Sequence, residues 1–189
     1  MKITVKNTPE QPSKPEPELI LIPVPAGFGC EALLVGETPV TEAQWADVMD
    51  GKFTGIDTQK PKTNISAIEA EEFCKRLSEQ TGTTFRLPTE LEQARCLGIE
   101  PDELQEYAVL GQNSCPSVRT KLPNEYGLYD VRGLVWEWTA EGEGDRYSRL
   151  RGGSWYGSQL GARGVSRLDC LPAYRDYLAG FRVVVTRPK

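Results

Sequence analysis

The chain contains no histidine at all. Imidazole is the commonest general base and the commonest metal-ligating ring, so Ser-His-Asp and Cys-His nucleophiles and histidine-ligated iron or zinc are excluded. The five cysteines, Cys30, Cys74, Cys96, Cys115 and Cys170, are odd in number and show no Cys-x-x-Cys spacing. They give no clustered zinc site and read as reduced, mostly buried thiols. Long apolar runs are missing too: nothing approaches the roughly 20 residues a membrane span needs. The first residues, Met1 to Lys6, lack the apolar core of a secretory signal, which leaves the expectation of a cytoplasmic or particle-borne protein. A basic excess is also absent: 22 Lys and Arg against 27 Asp and Glu give a net charge of -5. That balance argues against a nucleic-acid-binding surface. No internal repeat of solenoid length is present.

What is present describes one well-packed domain, with 39% hydrophobic and 26% charged residues over 189 positions. Residues 7 to 18 are rich in Pro, Glu and Lys and bury almost nothing, so residues 1 to 18 read as a flexible N-terminal arm and residues 19 to 189 as the domain. Leu19 to Val24 and Ala32 to Val35 read as two short strands joined by a turn. Three helix starts follow, each with a capping box: Thr41 with Gln44, Ser66 with Glu69, and Thr89 with Glu92. The second helix carries Ala70, Phe73, Cys74 and Leu77 at helical spacing and stops near Gly82, and the third runs to about Cys96. Pro101 to Leu104 opens a short helix. Val135 to Trp138 alternates as a strand with both indoles on one face.

From Leu150 to Val183 the pattern changes. The stretch opens on Arg151-Gly152-Gly153-Ser154-Trp155 and closes on Gly180-Phe181-Arg182, two ends that read as paired strands. Between them there is neither a helical period nor a strand alternation, which predicts a long functional loop. Tyr156, Tyr174 and Tyr177 stand in it among Ser, Gly and Asp, a composition suited to adaptable binding. Arg163, Arg167 and Arg175 are expected to hold the loop by pairing with acids or carbonyls, and Trp136, Trp138 and Trp155 to form the core beneath it.

Five motifs in order make the chain resemble the formylglycine-generating enzyme (sulfatase-modifying factor) family. They are Val40 to Trp45, Phe85 to Glu92, Gly127 to Asp130 through Trp136-Glu137-Trp138, Arg151 to Trp155, and Gly180 to Arg182. The resemblance implies a mixed α+β, C-type-lectin-like fold with few regular elements. Oxidase members of the family bind copper through two cysteines shortly after the Gly-Gly-Ser block. Here those positions are Gly157 and Ala162, so the soft ligands copper needs are missing. Where the family often reads Gly-Asn, this chain has Gly133-Leu134, and Leu134 offers no side-chain oxygen to calcium.

The branch resembled most is the variable proteins of diversity-generating retroelements, in which Arg151 to Trp155, Arg163, Arg167, Pro172, Arg175 and Gly180 to Arg182 fall at fixed positions. The resemblance then assigns variable, ligand-binding roles to Tyr156, Gly157, Ser158, Ser166, Leu168, Asp169, Cys170, Leu171, Tyr174, Asp176, Tyr177 and Leu178. None of these is Lys, Glu, Gln, Met or Trp, as codons ending in cytosine would require. The function expected is a non-catalytic display protein with no catalytic residue, metal or cofactor, located in the cytoplasm or on a phage particle. Its expected partner is a protein or cell-surface ligand, with no nucleic acid and no membrane insertion; self-association or attachment to a larger assembly stays open. Two rivals remain at this point: an enzyme of unfamiliar chemistry using Cys170, Asp169 or Asp176, and a structural module whose loop has no role.

Overall fold

Capping sets where the helices begin. In a computed structural model that describes residues 2–3, 19–27, 29–49, 57–140, 146–162 and 166–186, all three capping boxes form. Thr41 Oγ1 accepts from the Gln44 amide while Gln44 Oε1 accepts from the Thr41 amide, opening α1, Glu42–Met49. Ser66 and Glu69 do the same for α2, Ala67–Thr81, and Thr89 and Glu92 for α3, Glu90–Cys96. Gly82 ends α2 in the left-handed region that a residue without Cβ enters most easily (φ 69°). A fourth short helix, α4, covers Leu104–Tyr107.

The strands divide into two sheets. Strands β1 (Lys2–Ile3), β2 (Leu19–Val24), β3 (Leu33–Gly36), β4 (Phe85–Arg86) and β9 (Val184–Thr186) form the first, in the order β1-β2-β3-β9-β4. Strands β5 (Trp136–Trp138), β6 (Ser148–Arg151), β7 (Arg167–Cys170) and β8 (Ala179–Phe181) form the second, in the order β7-β6-β5-β8. Lys2 and Ile3, expected in the free arm, pair with Ile20 and Leu19; residues 4–18 lie outside the described residues.

Two expectations for the C-terminal stretch need correction. Its ends are not paired with each other: β6 lies antiparallel to β5 on one side, and β8 lies parallel to β5 on the other. Nor is the interior all loop, because β7 returns along β6 with Leu168 opposite Leu150 and Asp169 opposite Arg149. Periodicity missed β7 because Arg167, Leu168 and Asp169 are all exposed, so no buried face imposes an alternation.

Helix α2 docks through Ala70, Phe73, Cys74 and Leu77. Phe73 stacks on Trp45 at 5.5 Å between centroids and meets Phe181 of β8 edge-on at 5.1 Å. Burying such side chains stabilises by about 2 kcal/mol each, so this face fixes α2 against the second sheet. Trp138 and Trp155 are buried and Trp136 is half-buried, which puts the indoles at the core beneath the C-terminal segment. Among the described residues no helix is long and apolar enough to cross a membrane.

Between the sheets lies a fully buried ion pair. Arg182 Nη2 sits 2.9 Å from Glu137 Oε1, with both side chains essentially inaccessible. All five guanidinium N–H groups find acceptors: Nε and Nη2 donate to the Glu137 carboxylate, Nη2 also to the Tyr129 carbonyl, and Nη1 to those of Gly36 and Glu37. Gln93 Nε2 donates to Glu137 Oε2 at 2.6 Å, adding α3 to the set. A buried pair offsets its desolvation only when saturated in this way. Glu137→Gln, which leaves the guanidinium uncompensated, is expected to cost about 3–5 kcal/mol in guanidinium-chloride denaturation; a loss near zero would refute the role.

Asp130 lies at the same centre with φ 56° and almost no exposed surface. Its Oδ2 accepts from the Arg119 amide, while Oδ1 has no hydrogen-bond partner. Burial pushes its carboxyl up to about 6, against the pull of the Arg119 amide and the Arg182 charge. An acid that ionises later in the folded than in the unfolded state loses stability as pH rises between the two values, here from about 4 to about 6. Asn keeps the acceptor, tolerates the left-handed backbone and carries no charge. Asp130→Asn is therefore expected to be more stable than the parent by about 3 kcal/mol at pH 7, with no difference below about pH 4, as read from denaturation at a series of pH values.

Candidate functional site

The site starts where β6 ends. Gly152 (φ 95°) and Gly153 (φ 84°) are both left-handed, and a Cβ on Gly153 would lie 2.9 Å from the Gly161 backbone. The pair therefore lets the chain reverse so that residues 161–162 pack against it. Trp155 follows, its amide donating to the Leu134 carbonyl (2.8 Å) and its carbonyl accepting from the Gln112 amide (2.9 Å). Gly111 donates similarly to the Gly157 carbonyl. This first stretch is thus held by backbone bonds that do not depend on its side chains.

Beneath it lies an apolar cluster of Val109, Val118, Leu134, Val135 and Trp155. Leu134 is left-handed at φ 57°, a conformation costing a branched residue about 1–2 kcal/mol. Its fully buried side chain in that cluster offsets the cost. Gly157 and Ala162 also serve packing. Gly157 donates to the Ser154 carbonyl in a tight turn, and Ala162 is buried beside Leu104 and Ala108 with its carbonyl accepting from Arg132 Nη1 (3.1 Å).

The second stretch, residues 166–178, is seated on the first turns of two helices. Glu90 at the start of α3 lies within 3.5 Å of Arg149, Arg151 and Arg167. Glu69 in the first turn of α2 uses Oε2 to complete the capping box and Oε1 to hold Arg175 at 2.8 Å. Arg167 and Arg175 thus pair with acids as expected, and Arg163 lies outside the described residues. The Asp176 carbonyl accepts from the Asn64 amide, its Oδ1 from the Leu178 amide and its Oδ2 from the Tyr174 hydroxyl, both side-chain bonds at 2.8 Å. The bond to Asp176 raises the Tyr174 phenol above its ordinary value.

These anchors bring much of the predicted set to the surface. Tyr156, Ser158, Leu168, Asp169, Leu171, Tyr174 and Tyr177 are exposed, the tyrosines by 67%, 46% and 61%. Tyr156 and Tyr177, from different stretches, both contact the Trp155 ring, at 5.7 and 6.3 Å between centroids. Gly157, Ser166, Cys170, Asp176 and Leu178 are only half-exposed; Cys170 and Leu178 pack on the core clusters, and Asp176 is spent on the loop itself. Burial, with Asp176 and Asp169 nearby, raises the Cys170 thiol, so it is not primed as a thiolate. Two exposed residues were missed: Leu160, at 69%, and Ile68 on the first turn of α2, whose amide donates to the Pro172 carbonyl. Leu160 falls outside the family's variable frame, and Ile68 is brought near only by the fold.

Residues 102–187 match the family described as the Sulfatase-modifying factor enzyme 1-like domain. Over 76 residues the chain is 40% identical to the "Inactive C-alpha-formylglycine-generating enzyme 2" of Mus musculus, a match covering 35% of this chain and 25% of that protein. Among solved structures, Treponema denticola variable protein 1 superposes with a TM-score of 0.78 at 23% identity, over 95% of this chain and all of that one. PvdO from Pseudomonas aeruginosa gives 0.75 at 18% identity, over 99% and 92%. The Major Tropism Determinant U1 variant gives 0.56 at 14%, over 89% and 55%. The fold is the mixed α+β, C-type-lectin-like one that the motifs implied.

The Arg175–Glu69 pair is partly exposed and so contributes little to global stability. Arg175→Ala is expected to shift the unfolding free energy by less than about 1 kcal/mol while speeding amide exchange across residues 173–178 by about fivefold. Glu69→Gln, which keeps an acceptor for the Ser66 amide, should speed exchange equally if the ion pair is the tether; unchanged exchange in both variants would refute it.

Proposed function

We propose that this chain is a non-catalytic ligand-binding protein whose residues 156 to 178 display a surface open to sequence diversification by a retroelement. One observation carries the reading: the exposed Tyr156 and Tyr177, from separate stretches, both meet the Trp155 ring, on a backbone tied by bonds that their own side chains do not make. A rigid frame bearing amphipathic side chains of low rotamer cost is how adaptable recognition surfaces are built. The names of the similar proteins, one called inactive, one a variable protein and one a tropism determinant, support the same direction. The rival chemistry finds little footing: the Cys170 thiol is raised, Asp169 pairs with Arg149 at 3.3 Å, and Asp176 is bonded within its loop. The partner class is a protein or cell-surface ligand, met by direct surface contact.

Tolerance is the property such a surface needs. Replacing Tyr156, Leu171 and Tyr177 together by Ser is expected to change the unfolding free energy by less than about 1 kcal/mol, since exposed positions away from caps and cores rarely cost more. Sequencing the surrounding DNA, and the segment encoding residues 150–183 in several members of the source population, is expected to show a near-copy differing at adenines and changes confined to the twelve assigned positions. An invariant segment with no such copy would sink the retroelement part, while the triple variant tests the display surface on its own.

A further inference from the structure

Strand β7 forms one edge of the second sheet, and among the described residues no strand pairs with its outer side. An open edge is a template for another strand, and charged residues on it ordinarily block pairing. Here the charges are ordered differently. Reading Arg167, Leu168, Asp169 against an antiparallel copy of itself centred on Leu168 sets Arg167 opposite Asp169, Leu168 opposite Leu168, and Asp169 opposite Arg167. We propose that the β7 edge is self-complementary and pairs, about a twofold axis through Leu168, with β7 of a second copy of this chain.

The side chains are placed for it. Arg167 lies 3.5 Å from Glu90 and Asp169 3.3 Å from Arg149, loose contacts that leave about half of each β7 side chain exposed (53% and 49%). Each can therefore face a second partner across the seam without giving up the first. Leu168, 45% exposed beside the buried Leu150 of β6, would extend the apolar row across the axis. A twofold seam of this kind is closed, because one edge meets its own copy and nothing propagates. It joins the second sheets of the two copies into one, which takes Leu168 and Asp169 out of the assigned display set and leaves Tyr156, Tyr174 and Tyr177 once in each copy, so that two weak contacts can act as one avid one. The inference does not rest on the proposed function, since it uses only this chain's edge residues.

The test is sedimentation equilibrium of the whole chain from micromolar to high-micromolar concentration. The parent is expected to move from monomer toward dimer mass. Arg167→Asp and Asp169→Arg each set like charges opposite one another at both ends of the seam and should weaken association about tenfold. An equimolar mixture of those two variants, whose edges complement each other, should associate at least as well as the parent. Leu168→Lys, which leaves both ion pairs intact and opposes two like charges on the axis, should give the same loss, with circular dichroism melts confirming that each variant folds. A parent that stays monomeric throughout, single variants that associate like the parent, or a mixture that fails to associate would each overturn the proposal.

Discussion

The buried pair of Arg182 and Glu137 is the constraint on which the rest of the structure depends. Strand β5, which carries Glu137, pairs with both β6 and β8, the two ends of the candidate segment. Arg182 follows β8 directly and reaches the carbonyls of Gly36 and Glu37, at and just beyond the end of β3 in the other sheet. One guanidinium therefore fixes the angle between two sheets, the Tyr129 turn and, through Glu137 and Gln93, helix α3. A hydrophobic pair of similar volume would avoid the desolvation cost. It would not specify geometry in the same way, because apolar contact is non-directional while five N–H vectors with assigned acceptors admit one arrangement.

From that centre the division of labour follows. The loop 152–162 is held by glycine conformations and by backbone bonds to residues 111, 112, 133 and 134, and the loop 171–178 by Arg175, the Asp176 turn and the Asn64 amide. Loop ordering costs about 1–2 kcal/mol per residue, and that cost is met below the surface. Side chains such as Tyr156 and Tyr177 are thereby released from a structural duty. The acidic first turns of α2 and α3 favour the helix dipole, and Glu69 and Glu90 spend their remaining oxygens on the arginines of the segment.

Much of this was legible where the chemistry is local. A capping box is written within four residues, so all three helix starts could be read from sequence. The central pair could not. In an alternating Val135-Trp136-Glu137-Trp138, the glutamate reads as facing water, yet it is buried because α3 and Arg182 cover that face as well. The parallel pairing of β5 with β8 joins residues some forty positions apart, and no turn signal announces it. Leu134 and Asp130 carry left-handed backbone that their side chains do not advertise, and each is held there by bonds from distant segments. The assigned positions themselves came from family resemblance, since exposure on both faces of β7 erases the alternation that would mark a strand.

The structure also divides the twelve assigned positions by how freely each can change. A Cβ at Gly157 would lie 3.1 Å from the Ser154 carbonyl, so a larger residue there must move the turn that positions Trp155 and Tyr156. At position 176 only residues whose side chain can accept from the Leu178 amide preserve the local turn, which favours Asp, Asn and Ser. Cys170 and Leu178 pack on the core and admit residues of similar size and apolarity. Within one copy of the chain, Tyr156, Ser158, Leu168, Leu171, Tyr174 and Tyr177 meet no such demand beyond the single Tyr174 hydroxyl bond. The twelve positions are therefore not equally free: the exposed ones meet few packing demands, while the half-buried ones keep the shape of the loops that carry them.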